Sequence, residues 1–341
     1  MVFAGKKMRV VFRADSSTRA GAGHVMRSLA LADRLAESGA EILFLCRDEP
    51  GNLNSLVAEK GYRVLGIGND GKTDGIGGCD WLVVDHYELD EKWEKAMRPQ
   101  ARLIMAIDDL ADRKHDCDLI LDQNFETGSR YGGLVPESAQ GLFGPSYALL
   151  RKEFSIMRER MGIRDGSIRR ILVFFGGSDA TDETSKALEG IRMSMHAKCH
   201  VDVIAGSSNP NRSRLETLCS GLPDASFHCQ VNDMARFMMQ ADLSVGAGGT
   251  STWERCCLGL PSLVTVLADN QEMVAETVAS KGAILNLGRS ETLASEDYRR
   301  ALDSLDEGKM KSMSGNGLLL VDGKGCERVA SVLWEMFRSL Q

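Results

Sequence analysis

Short runs of β-branched and aliphatic residues alternate with amphipathic helical stretches along the whole chain, and this alternation restricts the fold more than any other feature. A parallel neighbour needs a crossover long enough to hold a helix, so the pattern predicts parallel sheets covered by helices on both faces. In the first half, strands are expected over 8–12, 41–46, 62–67, 81–85, 102–107 and 119–121. The clearest helix is expected over 24–38, where Val25, Leu29, Ala32 and Ala36 make one stripe and Gly39 supplies the stop.

The pattern restarts after a polar stretch, 158–170, whose Gly162 and Gly166 make it read as a linker. Second-half strands are expected over 171–175, 201–205, 225–229, 243–245, 262–267 and 283–287, a sheet of similar size. The plan is α/β, with one domain over 1–160, another over 168–320 and a closing helix within 321–341. That helix carries Val329, Val332, Leu333, Met336 and Phe337 on one side, so it must pack on something.

A net charge of -7 over 341 residues argues against a broad nucleic-acid footprint, which needs Lys and Arg clustered on one face. No apolar run reaches the roughly 18 to 20 residues that cross a bilayer, and the amino terminus lacks an apolar signal core, so a cytoplasmic protein is expected. Nine cysteines without a C-x-x-C pair suggest reduced thiols rather than a disulfide framework or a zinc site.

In doubly wound sheets ligands bind at the carboxyl ends of the strands, so the loops after the strands should carry the chemistry. The first expected strand leads into Arg13-Ala14-Asp15-Ser16-Ser17, then into Gly21-Ala22-Gly23-His24, which opens a helix. The glycines allow close backbone approach to a ligand, and a histidine at the positive end of a helix dipole suits a proton acceptor. His24 alone would read as a cap or packing residue; in the company of the other unusual loops after strands, a general base is the better reading. The fourth strand delivers Asp85-His86-Tyr87 to the same edge, where Asp85 and His86 alternatively form a strand-end hydrogen-bonded pair. Asp108 and Asp109 are adjacent and point apart, which fits a turn or cap better than a metal site.

Two familiar patterns fail in context. Gly21-x-Gly23 has Met26 at the third position of a dinucleotide fingerprint. Gly66 to Thr73 has P-loop spacing, but a glycine-rich segment, and no helix, follows it.

The second half offers stronger phosphate signals. Phe175-Gly176-Gly177-Ser178-Asp179 and Gly246-Ala247-Gly248-Gly249-Thr250-Ser251-Thr252 each lie between a strand and a helix, presenting N–H groups and hydroxyls suited to a diphosphate. Turn geometry alone is the plainer explanation of those glycines. Glu254 is placed to accept from ribose hydroxyls, and Asp269-Asn270-Gln271 offers amides for sugar hydroxyls or acetamido groups, or a helix cap.

Together these residues resemble the UDP-2,4-diacetamido-2,4,6-trideoxy-β-L-altropyranose hydrolases of pseudaminic acid biosynthesis. The resemblance is carried by Phe12-Arg13-x-Asp15-Ser16-Ser17, Gly21-x-Gly23-His24-x-x-Arg27, Asp85-His86-Tyr87, Gly144-x-x-Tyr147-Ala148-Leu149-x-Arg151-x-Glu153-Phe154, Gly176-Gly177-Ser178-Asp179, Ser251 to Glu254, and Asn270-Gln271. It spans roughly residues 8 to 285; Ala22 stands where the pattern has a larger residue. The resemblance implies a GT-B fold, two Rossmann-like domains with parallel sheets facing a deep cleft, and UDP held by the second domain. It also implies attack of water on the anomeric carbon with inversion, in a pathway that feeds flagellin glycosylation.

Carried over residue by residue, His24 matches the catalytic histidine, with Tyr87 beside it; Tyr87 and Asn270 match positions lining the sugar site. Arg13, Asp15, Ser16, Gly23, Arg27, Asp85 and Gln271 join Asn270 as expected substrate-binding residues, and Gly177, Ser178, Gly249, Thr250, Ser251 and Glu254 as expected nucleotide-binding residues. The expected partner is a UDP-sugar, with no cofactor, metal, nucleic acid or stable membrane association. Two alternatives remain: a GT-B transferase with a UDP-GlcNAc-like donor, and a non-catalytic UDP-sugar-binding regulator. The transferase would need an acceptor surface, and no apolar-basic amphipathic patch supplies one for a lipid.

Overall fold

A computed structural model of the chain describes residues 7–18, 20–67, 76–124, 128–206, 209–231 and 233–341. The chain divides into two compact units, one comprising 1–152 with 324–341 and the other 153–323. Each is built on an all-parallel sheet, as the alternating pattern requires.

The first sheet contains β1 (Arg9–Ala14), β2 (Glu41–Arg47), β3 (Arg63–Ile67), β4 (Cys79–Asp85), β5 (Ala101–Ile107), β6 (Leu119–Asp122) and β7 (Gln140–Phe143), in the order β3-β2-β1-β4-β5-β6-β7. Successive residues of β1 serve opposite faces: Val10 and Phe12 join a cluster with Val83 and Leu29, whereas Val11 packs with Leu43, Leu82 and Val84. β7 escaped the sequence reading because it is a short edge strand with one buried residue, Leu142, next to Gly141. The segment with P-loop spacing begins in β3, but its residues 68–75 lie outside the described residues.

The second sheet contains β8 (Arg170–Phe174), β9 (His200–Ala205), β10 (Ala225–Cys229), β11 (Leu243–Ala247), β12 (Ser262–Val266) and β13 (Leu285–Arg289), in the order β10-β9-β8-β11-β12-β13. β13 begins and ends two residues beyond the expected range; its register shifts by one residue opposite Val264 and Thr265, beside Gly288 at a φ of 93°.

The polar stretch expected to link the domains instead packs on the second unit. Arg164 explains why: its guanidinium donates to the carbonyls of Met238, Met239, Ala241, Leu258 and Gly259, all in that unit. The change of unit comes earlier, between Lys152 and Glu153. The closing helix, Gly325–Ser339, belongs to the first unit, where Cys326, Val329, Ala330, Leu333 and Phe337 enter the core and the Trp81 indole donates to the Leu333 carbonyl at 3.1 Å. No helix among the described residues is long and apolar enough to cross a membrane. All nine cysteines are unpaired, and burial pushes the Cys46 and Cys79 thiols up to about 12.

Candidate active site

In the first sheet the strand order reverses direction between β1 and β4. Helices leaving these neighbours go to opposite faces, so a crevice opens at their carboxyl ends. Ala14 and Asp85 are register partners there, which brings the loop after β1 beside the end of β4.

The loop after β1 is tied by Gly21 N donating to the Ser17 carbonyl at 2.9 Å, with Gly21 at a φ of 76° that a side chain would strain. It feeds the helix Gly23–Glu37, whose second residue is His24. His24 does not cap that helix; no side chain does. Its Nδ1 lies 2.6 Å from Asp85 Oδ1, across 61 residues of sequence. Arg27, one turn on, donates from Nε and Nη2 to the two oxygens of Asp85, each at 2.6 Å.

Asp85 is fully buried. Burial pushes its carboxyl up, but the Arg27 guanidinium and His24 outweigh it and hold it well below the usual carboxylate range. An ionised Asp85 accepts only, so it fixes the ring with the proton on Nδ1 and leaves Nε2 as the lone-pair nitrogen. The Tyr87 ring meets the His24 ring edge to face, centroids 4.5 Å apart. Arg27 Nη1 also donates to Asp109 Oδ2 at 3.1 Å, so Asp109 belongs to this network, while Asp108 closes a turn by accepting from Ala111 N at 2.8 Å.

A second group stands alongside. Arg13 donates through both terminal nitrogens to Asp15, at 2.5 and 2.8 Å, and Arg47 N donates to Asp15 at 2.8 Å. Burial raises the Asp15 carboxyl, but bonds from His86, Arg13 and Arg47 hold it well below the usual range. His86 lies 3.1 Å from Asp15 through Nε2, and its Nδ1 accepts from Glu88 N at 3.0 Å, so the proton sits on Nε2. Asp85 and His86 are therefore not paired with each other; His86 serves Asp15 in the loop after β1, and Asp85 serves the helix that the loop feeds.

In the second sheet the reversal lies between β8 and β11. The loop after β8 holds Gly176 at a φ of 91°, and the Asp179 carboxyl accepts from Glu183 N and Thr184 N at 2.9 and 3.0 Å, so Asp179 caps the helix Glu183–Met193. The loop after β11 leads through Gly248 and Gly249 into the helix Ser251–Cys257. A Cβ at Gly246 would sit 2.2 Å from the Phe174 carbonyl, so the two strand ends are in contact only because that residue is glycine. Gln271 folds back to accept from Leu267 N at 3.0 Å, and its Nε2 lies 3.8 Å from where a Gly249 Cβ would be. Asp269 does not cap its helix; it accepts from Arg289 at 2.7 Å.

The structure thus gathers His24, Tyr87, Asp85 and Arg27 at one point, Arg13, Asp15 and His86 next to it, and Gly249 with Gln271 in the other unit. Arg13, Asp15, Ser16, Arg27 and Asp85, expected to touch substrate, are buried and engaged inside the first unit; the Ser16 hydroxyl accepts from Leu53 N at 2.9 Å. Sequence reasoning reads Asp109 as part of a turn or cap rather than as a partner of Arg27, and does not name Arg255. Arg255 is 1% exposed, on the side of its helix opposite Trp253, Cys256 and Cys257, and its local spacing carries no signal. Among the described residues no cluster of His, Cys, Asp or Glu is arranged to hold a metal ion.

No family model matches the chain. It is 32% identical over 197 residues to the spore coat polysaccharide biosynthesis protein SpsG of Bacillus subtilis, covering 57% of this chain and 58% of that protein, so the match spans less than two thirds of that relative. It is 27% identical over 285 residues to the UDP-2,4-diacetamido-2,4,6-trideoxy-beta-L-altropyranose hydrolase of Campylobacter jejuni, covering 81% of this chain and 97% of that protein. Among solved structures, the MurG of Acinetobacter baumannii superposes with a TM-score of 0.66 over 97% of this chain and 100% of that one, at 15% identity. That likeness assigns the GT-B fold class, in keeping with the two Rossmann-like sheets.

Proposed function

We propose that the protein hydrolyses a UDP-linked 2,4-diacetamido-2,4,6-trideoxy hexose to UDP and the free sugar, as a step of pseudaminic acid biosynthesis. The observation that carries this reading is the His24–Asp85 pair, at 2.6 Å, at the switch point of the first sheet. The similarity to a protein named as such a hydrolase supports it.

In the proposed reaction His24 Nε2 accepts a proton as water attacks the anomeric carbon, a contribution of about 10² to 10⁴ in rate. Asp85 holds the ring in the reactive tautomer and stabilises the imidazolium that forms, and Arg27 keeps Asp85 ionised. Arg13, Asp15 and His86 position this group from behind. Tyr87, Asn270 and Gln271 are assigned to the sugar, and Gly23 leaves room for it.

The nucleotide is assigned to the second unit. Gly177, Ser178, Gly249, Thr250 and Ser251 offer backbone N–H groups and hydroxyls to the diphosphate, and Glu254 accepts from the ribose. Preorganised donors of this kind stabilise the charge that grows on the leaving group without routing the step through a metal.

The test is to incubate purified protein with UDP-sugars, without any acceptor alcohol, in water enriched in the heavy oxygen isotope. UDP release with the label in the free sugar is expected. Release only upon adding an acceptor would make the protein a transferase, and binding without release would make it a regulator.

A further inference from the structure

Two arginines of the second unit, Arg164 and Arg255, lie inside it without an ion pair among the described residues, and they are satisfied in different ways. Arg164 directs its guanidinium at five carbonyls, at the ends of the helices Met234–Gln240 and Ser251–Cys257. Carbonyls at helix ends carry the negative pole of the backbone dipoles, so the Arg164 charge is offset by the fold itself.

Arg255 has no such arrangement. At 1% exposure it is more deeply buried, yet it reaches a single carbonyl, Ala247 O at 2.8 Å. Its other bonds go to hydroxyls, Thr252 Oγ1 at 3.0 Å and Ser251 Oγ at 3.4 Å, and its Nε has no partner. Every partner lies in the segment 247–252. A Cβ at Gly246 would come within 3.2 Å of Arg255 Nη1, so the glycine also makes room for the guanidinium against the loop. Burial draws the Arg255 pKa down to about 10, against a pull from Cys256 and Glu254, which leaves it charged at neutral pH. A buried cation is strongly disfavoured unless an anion or a set of dipoles compensates it. Its partners flank the glycine loop: Ala247 ends β11, and Ser251 and Thr252 open the helix Ser251–Cys257.

We propose that Arg255 is a fixed counter-charge, set behind the glycine loop, for the diphosphate that the loop holds. It does not touch the ligand; it is a positioning residue. By donating to Ser251 Oγ it occupies one of that oxygen's two lone pairs and leaves the hydroxyl hydrogen to be donated to the anion. The bound diphosphate then supplies the compensation that the fold omits. The proposal rests on the nucleotide reading above and adds a named residue to it.

The test compares wild type, Arg255→Met and Arg255→Lys by calorimetric titration with UDP, uridine and inorganic pyrophosphate. Loss of one charge-assisted interaction predicts that Arg255→Met binds UDP about 10- to 100-fold more weakly while uridine affinity is unchanged. A buried lysine loses its proton far more readily than an arginine, so Arg255→Lys binds UDP near neutrality and releases it as pH rises, whereas wild type stays level. Equal losses of UDP and uridine affinity in Arg255→Met, or a UDP affinity in Arg255→Lys that ignores pH, would reduce Arg255 to a structural prop and overturn the proposal. Should Arg255→Met fail to fold, the pH profile of Arg255→Lys decides alone. Wild type that binds neither UDP nor uridine overturns the nucleotide reading; pyrophosphate binding that Arg255→Met abolishes would then still uphold the counter-charge, and its absence sinks both.

Discussion

The carboxyl edges of the two sheets share a strand order and differ in what they present. At the first, side chains are matched before any ligand arrives: His24 and Arg27 to Asp85, Arg13 and His86 to Asp15, most of them under a tenth exposed. At the second, the loops are glycine and backbone, Asp179 is occupied as a cap, and the one deeply buried arginine there lacks a carboxylate among the described residues. On the proposed reading, one topology is furnished as a place to hold a proton, and again as a place to hold an anion. In that proposal the first edge needs fixed side chains to choose a tautomer, and the second needs open backbone to offer a phosphate many N–H groups at once.

The comparison can be broken by mutation. His24→Ala should lower turnover by about 10² to 10⁴ while UDP affinity holds, because only the proton acceptor is lost. Asp85→Asn should follow at about 10²-fold, since the ring loses the acceptor that sets its tautomer. It should also cost about 3 kcal/mol in a denaturant melt, because the buried Arg27 is left with only Asp109 to offset its charge. Glu254→Ala should act on the other edge, raising KM about 10-fold with kcat unchanged, as expected for one hydrogen bond to the ribose.

Acid titration of stability sharpens the contrast by a smaller margin. Asp85 and Asp15 are held below their unfolded values of roughly 3.9. Their stabilisation is therefore complete above that pH and is lost as pH falls toward the folded values. Asp15→Asn and Asp85→Asn should flatten that acid limb in melts between about pH 5 and 2, and a limb as steep as wild type would contradict the assignment. Asp122 has the opposite sign: burial raises its carboxyl to about 6, so folding is favoured by its proton, and stability declines as pH rises from about 4 through 6. Asp122→Asn should remove that small decline.

Most of the architecture was legible because buried parallel strands are long apolar runs, and twelve of the strands show as such. β7 was not legible, since an edge strand with Gly141 at its centre has little apolar pattern to show. The positions of His24, Tyr87 and the glycine loops followed from their place after strands. Their pairing did not. Asp85 and His86 are neighbours in sequence yet bond to different partners, His24 and Asp15, because successive residues at a strand end point apart. Asp109 reads as a turn residue in the sequence and Arg255 is passed over for a related reason: what matters in each is the group it reaches, Arg27 and the segment 247–252, and no local spacing encodes that.

The central claim is that the nitrogen of His24 turned away from Asp85 takes the proton. Rescue of His24→Ala by added imidazole tests it most directly, with UDP release followed at saturating substrate and no acceptor present. A release rate that is low without imidazole and climbs with its concentration is the predicted result; a variant that already releases UDP at the wild-type rate would contradict it.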